Sequence, residues 1–393
     1  LLFLLTLTSP LLAAEPVAGK PIRPKSFGII FNMGYARDAL PKDKALLKTL
    51  AKSLKEAHYN VVLCKYDDTR AEVFKEVGLR IFVDLLAPDH HVYKNVEGAK
   101  TLCTSLRGQD VVWGYHLWSD RIGGTINGRS RDVKNVHTWD PTHPTYIGNY
   151  HARALTELKN PDLVGYYDFH WKRGGLWKYL HRVTQATKKS DAFFMRYTAS
   201  DPGRVGKGNY NRVLYTITTS LAFGMKGYLY HYRGGMINPK TGKWNALGKD
   251  LARVNEQVAP LGPELLKLGN PLAVYSTTIT KTAKDRPTGK EAPTLPDASL
   301  KPIPKDFAIQ VTSGEALLGD FRDGKKQVIY FSNHNAYQPQ NMKLKTSVNS
   351  VEHFDRTKKQ WQKLTLKNGM VEFVIPPACA ELIRLHGKAE PRP

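Results

Sequence analysis

Acidic, imidazole and aromatic side chains recur along this chain just after short apolar runs. Asn32 and Tyr35 follow the first run, and Lys65, Tyr66 and Asp67 the second. Asp84, Asp89, His90 and His91 close the third, and His116, Trp118 and Asp120 the fourth. Later come Asp168, His170 and Trp171, then Arg196, Tyr197 and Asp201, then Tyr230, His231, Tyr232 and Arg233. Paired carboxyl groups can divide general acid and general base work, and Asp67, Asp84, Asp89, Asp120, Asp168 and Asp201 are the carboxylates at these positions. Aromatic faces beside hydrogen-bonding groups suit sugar rings, whose C–H faces pack on indole and phenol while their hydroxyls need partners. On that ground Asn32, Tyr35, Asp84, His116, Trp118, His170, Trp171, Arg196, Tyr197, Tyr230, His231 and Arg233 are read as substrate-binding. Guanidinium forks at Arg121, Arg173, Arg196 and Arg233, with Lys172, would suit carboxylate or sulfate groups. Zinc sites need three well-placed ligands, and no His-x-x-x-His or His-Glu-x-x-His spacing occurs near these positions. The histidines are read as hydrogen-bonding groups, and no metal or other cofactor is expected. No Gly-x-Ser-x-Gly elbow is present.

The apolar runs that position these residues alternate with helical patterns. Strand-like runs lie at 27–32, 60–64, 79–85, 111–117, 145–149, 163–168, 192–197 and 227–232. Amphipathic patterns over 41–57, 70–77, 96–106, 151–158, 176–187 and 212–224 fall between them, and one long helix is read over 247–268. In the first, Leu46, Leu47, Leu50 and Leu54 are read as one face. Residues 121–138 are Gly- and Arg-rich, with a poor helical signal. Eight such units over about 240 residues predict an α/β chain built as a (β/α)8 TIM barrel. In that fold the C-terminal strand ends build the site, which is where the candidates above fall. Trp113, opposite in alternation to Gly114, is read as barrel packing. A Pro-rich stretch then leads into eight short alternating strands between 307 and 385, an all-β module read as a small sandwich. The domain reading is a partial signal peptide at 1–14, the barrel at 20–269, a connecting strand and Pro-rich linker at 270–306, and the β-sandwich at 307–387.

Composition bounds the function. Of 393 residues, 41% are apolar, enough for a large core. The 58 Lys and Arg outnumber 35 Asp and Glu, a formal net charge of +23. Such a field attracts polyanions, acidic or sulfated polysaccharide among them. No helix-turn-helix, zinc-finger or RNP pattern supports a nucleic-acid partner. Cys64, Cys103 and Cys379 lie far apart and make no disulfide framework. Residues 1–14 form an apolar run ending in small residues, read as a secretory signal. The expected location is secreted or periplasmic, with no integral membrane segment in the mature chain.

Several segments resemble clan A glycoside hydrolases, particularly bacterial β-galactosidase-like barrel glycosidases. Val112-Trp113-Gly114-Tyr115-His116-Leu117-Trp118-Ser119-Asp120-Arg121 is similar to their fourth strand, which runs into Asp-Glu-Pro. Asp140-Pro141-Thr142-His143-Pro144-Thr145 resembles the stretch before strand 5, and Val164-Gly165-Tyr166-Tyr167-Asp168 the sixth strand. Ala222-Phe223-Gly224-Met225-Lys226-Gly227-Tyr228 resembles the approach to strand 8. The resemblance implies an acid/base Glu after strand 4 and a nucleophilic Glu after strand 7. Asp120 stands at the first position and Arg121 replaces the Pro; strand 7 ends without Glu, with Asp201 beyond it. Three outcomes stay open: Asp120 acts with Asp168, Asp84 or Asp201; the barrel binds glycan without hydrolysis; or the histidines carry other chemistry.

Overall fold

A computed structural model describes residues 20–32, 40–118, 126–149, 155–168, 175–199, 210–231, 236–279, 295–296 and 300–387. Eight parallel strands close into a barrel in chain order. They are β1 (Gly28–Asn32), β2 (Val61–Cys64), β3 (Arg80–Asp84), β4 (Val112–Trp118), β5 (Thr145–Asn149), β6 (Leu163–Asp168), β7 (Phe193–Ala199) and β8 (Met225–His231). Closure is direct: Gly28, Ile29 and Ile30 of β1 pair with Gly227, Tyr228 and Leu229 of β8.

The inside of the barrel is a separate apolar cluster of Ile30, Val61, Leu63, Phe82, Trp113, Tyr146, Leu163, Phe193, Met195 and Leu229. Trp113 fills its lower layer, as read from the sequence. Its indole N–H donates to the Ser26 carbonyl at 3.0 Å. A Cβ on Gly28 would lie 2.8 Å from its ring, so glycine there makes room for the indole. Gly165 serves Tyr146 in the same way: a Cβ would sit 1.9 Å from the phenol oxygen.

The helix Lys44–Glu56 is capped by Asp43, which accepts from the Leu46 amide, and buries Leu47, Leu50, Ala51 and Leu54. Leu46, read with that face, is 38% exposed; Ala51 takes its place in the stripe. Asp67 caps Asp68–Val77, which ends on left-handed Gly78. Asn95 caps Val96–Leu106. Two helix readings need correction. Residues Ile126–Trp139 form a helix despite their composition, because its buried face is Arg129, Asp132, Val133 and Val136. A hydrophobicity count does not register a stripe half made of charge. The single helix over 247–268 is two, Ala246–Val258 and Gly262–Lys267, with Pro at the start of the second. Pro260 and Pro263 lack the amide protons that would carry the ladder through.

The C-terminal module contains all eight strands read from the sequence and two more. Strands β9 (Ala273–Ser276), β10 (Lys301–Pro302), β11 (Ile309–Ser313), β12 (Ala316–Asp323) and β13 (Lys326–Asn333) come first. Strands β14 (Gln340–Thr346), β15 (Ser350–Asp355), β16 (Gln360–Leu364), β17 (Met370–Ile375) and β18 (Ala380–His386) follow. They make a seven-stranded sheet, β10-β9-β12-β13-β18-β15-β16, and a three-stranded sheet, β11-β14-β17. Phe331 and Phe373 meet edge to face between the sheets, centroids 5.6 Å apart. The helix Tyr210–Ala222 lies between barrel and sandwich and is buried from Val213 to Ala222. Its Thr218 hydroxyl donates to the Ala378 carbonyl at 2.7 Å. Cys64, Cys103 and Cys379 are buried.

Candidate active site at the barrel mouth

The register of β3 and β4 sets Asp84 beside His116. Both side chains point inward, above Phe82 and Tyr146. The His116 Nδ1 lies 3.0 Å from Asp84 Oδ1. Asp84 is 6% exposed and His116 fully buried. The imidazole stacks on Tyr146, centroids 5.6 Å apart, and meets the edge of Phe82 at 5.5 Å. A carboxylate on Nδ1 fixes the orientation and tautomer of the imidazole. Asn32, at the end of β1, is fully buried, and its amide donates to the Tyr230 carbonyl at 3.3 Å.

A second group lies on the β4 side. Trp118 is 9% exposed, and the Arg129 guanidinium lies 3.6 Å over its ring. Arg129 also lies 5.0 Å from the Tyr93 ring and donates to Asp132 at 3.0 Å. Burial pulls the Arg129 pKa down and pushes Asp132 up, with each partner opposing the other's shift. Burial lowers the His91 pKa, the charges of Lys94 and Arg129 lower it further, and Asp84 opposes them. Trp118 is therefore not an open stacking platform: a cation covers one of its faces.

On the β2 side of the same end, Lys65 pairs with Asp89, and Arg70 with Asp67 at 3.0 Å. They line a cavity of about 570 Å³ with Pro41, Lys42 and Thr69. Lys65 holds the Asp89 carboxyl below its usual range.

Two expected site residues face the other way. Arg196 is 1% exposed and donates to the Thr216 carbonyl at 3.3 Å and to the Ser220 hydroxyl, both on the helix outside the barrel. In β7, Phe193 and Met195 point inward, so Arg196 points outward. Tyr230 is likewise outside. Its hydroxyl donates to Asn255 Oδ1 at 3.1 Å, beside Tyr228 at 3.0 Å. Leu229 is its inward neighbour. Asp168 and His231 end β6 and β8, and Tyr197 lies in β7. Tyr35, Asp120, His170, Trp171, Asp201 and Arg233 lie outside the described residues. Tyr146, Arg129 and Asp132 were missed. Alternation along β5 would have found Tyr146, and the i, i+3 spacing of Arg129 and Asp132 the other two. Among the described residues no group of three or more His, Cys, Asp or Glu could hold a metal ion, and no helix is long and apolar enough to cross a membrane.

No family model and no curated protein matches the chain. Solved structures do. A cold-adapted β-galactosidase from Rahnella sp. R3 superimposes with a TM-score of 0.52 at 10% identity, over 94% of this chain and all of the other. An α-amylase from Geobacillus thermoleovorans, complexed with acarbose, gives 0.50 at 10% identity, over 92% and 99%. An Anoxybacillus α-amylase gives 0.50 at 12% identity, over 92% and 98%.

The chain shares its (β/α)8 barrel fold with these structures. In a (β/α)8 barrel the working end is the C-terminal face, and Asn32, Asp84 and His116 stand at that face. At this level of identity the likeness concerns the fold alone; function has to be argued from the site.

Proposed function

We propose that this protein is an exported glycoside hydrolase acting on an oligo- or polysaccharide, an acidic or sulfated one in particular. One observation carries the reading: the buried Asp84–His116 pair stands at the mouth of a closed barrel of glycosidase fold. Asp120 is the general acid, protonating the leaving oxygen, and Asp168 or Asp201 supplies the second carboxyl group. Asp84 orients the His116 imidazole at the floor of the mouth. The net charge of +23 and the basic residues after strands 4, 6 and 8 support an anionic glycan. The apolar run at residues 1–14 supports export.

The test is release of reducing ends from polygalacturonate, carrageenan and chondroitin sulfate, with xylan and galactan as neutral controls. Asp120→Asn should lower turnover about 100-fold, the scale of general acid catalysis, with circular dichroism unchanged. A second reading is favoured by the absence of Glu from the strand-7 end, residues 196–201. It is a carbohydrate-binding barrel without hydrolysis. Retardation in a glycan-containing gel with no reducing ends released would establish that reading and remove the first.

A further inference from the structure

The opposite end of the barrel carries a cavity that the glycosidase reading does not use. It has a volume of about 600 Å³, within the range of small-molecule sites. Phe27, Ile29, Tyr59, Ala259, Pro263 and Leu266 form its apolar wall. Ser26, Asn60 and Gly262 complete the wall, Lys25, Lys55, His58 and Lys267 stand at its edge, and no carboxylate is among the described residues that line it.

The wall offers little to a sugar. Its one side-chain amide, Asn60, is committed on both sides: Oδ1 accepts from the Ile29 amide at 2.8 Å and Nδ2 donates to the Phe27 carbonyl at 2.7 Å. A hydroxyl-rich occupant would lose its water partners against this surface and find few replacements. The cations are available at the edge. Lys25 pairs with Asp110 and Lys267 with Glu264, but the two lysine side chains are 51% and 59% exposed. Pairs so exposed contribute little and exchange partners readily. Lys55 donates to the Gly78 carbonyl at 2.9 Å, a neutral partner that an anion can replace.

We propose that this N-terminal-face cavity binds a small amphiphile with an apolar body and a single anionic head, the simplest being a medium-chain fatty carboxylate. The body lies against Phe27, Ile29 and Leu266, and the head meets the lysines. The site is independent of the mouth and does not rest on the glycosidase reading.

The test uses the full chain with two probes, 1-anilinonaphthalene-8-sulfonate and dodecanoate. The fluorescent sulfonate should bind saturably at one site per chain, and dodecanoate should displace it. Dodecanol, of equal length and without charge, should displace it at least tenfold less well. The double reversal Lys55→Glu/Lys267→Glu should weaken dodecanoate at least tenfold, and Ala259→Trp, which fills the cavity, should abolish displaceable binding. Asp84→Asn, at the other end, should leave it unchanged. Thermal melts establish that each variant is folded, and the surface charge reversal carries the test if Ala259→Trp does not fold. Equal displacement by dodecanol, or wild-type affinity in the folded charge reversal, would overturn the proposal.

Discussion

Lys226 shows how far one side chain can couple charge to stability. It is 1% exposed, and its Nζ donates to the carbonyls of Leu265 at 2.7 Å and Gly269 at 3.0 Å. Phe193 of the barrel and Phe321 of the sandwich lie 5.3 and 5.5 Å away. Burial lowers its pKa to about 7, with Arg23 adding to the effect. In the unfolded chain the ammonium titrates near 10.4, roughly. Between those values the unfolded state binds a proton that the folded state does not, so stability rises with pH. The contribution is complete above the unfolded value and is lost as pH falls through about 7. Urea unfolding should show about 2–3 kcal/mol more stability at pH 9.5 than at pH 7 from this group. Lys226→Met should remove that rise. Staying at pH 9.5 keeps the buried Tyr228 and Tyr230, whose pKa values burial raises, out of the measurement. At this scale the sequence was legible where a residue ends a strand. Asn32 and Asp84 are of that kind, and His116 lies two residues before the end of β4. Arg196 and Tyr230 lie inside runs that are buried on both faces, where alternation of polarity does not mark the inward side.

The helix Ile126–Trp139 is the element that composition concealed. Its Arg129 and Asp132 side chains are only 6% and 4% exposed, and Arg129 packs on Trp118 as an apolar residue would. Removing one member of a buried pair strands the other charge, at a cost of about 3–5 kcal/mol. Asp132→Ala should therefore lower unfolding stability by about 3 kcal/mol in a denaturant titration. Arg129→Met/Asp132→Leu should recover most of that loss, since an apolar pair of similar volume needs no compensation. A double variant as unstable as the single one would show that the guanidinium contributes more than its charge pairing with Asp132. By contrast, the helices Lys44–Glu56 and Val96–Leu106 were legible, because their caps and leucine spacing are local signals.

Across the whole molecule, the barrel and sandwich are joined by contacts that titrate. His334 is 1% exposed, lies 2.9 Å from the Ser276 hydroxyl through Nε2, and meets the Trp177 ring edge to face at 6.0 Å. Burial pushes its pKa down to about 3, opposed by a hydrogen bond with the Ala316 backbone. Its folded pKa lies below the unfolded value of about 6.5, so its contribution is complete above that pH and is lost as pH falls toward 3. At pH 4 this amounts to about 3 kcal/mol. Acid unfolding followed by near-ultraviolet circular dichroism should begin at a lower pH in His334→Gln than in the wild type. An unchanged midpoint would assign the acid sensitivity to carboxylates elsewhere.

Much of this protein is written locally. Eight apolar runs separated by amphipathic helices specify a parallel sheet with crossovers, and Asp-Gly and Asn-Gly turns punctuate the strands of the sandwich. The strand ends also placed Asp84 and His116 toward the C-terminal face of the barrel. What the tertiary structure alone decided is orientation and enclosure. Strand register put Asp84 beside His116 and turned Arg196 and Tyr230 toward outer helices. Closure of β1 on β8 made Trp113 and Tyr146 an interior layer that Gly28 and Gly165 accommodate. Packing of the sandwich on the helix Tyr210–Ala222 joined the two parts, and burial where the two parts meet lowered the pKa of Lys226 and His334. The physical reason is common to all of these. Propensity and capping act within a turn or two of helix, whereas facing, burial and desolvation depend on residues brought together from distant parts of the chain.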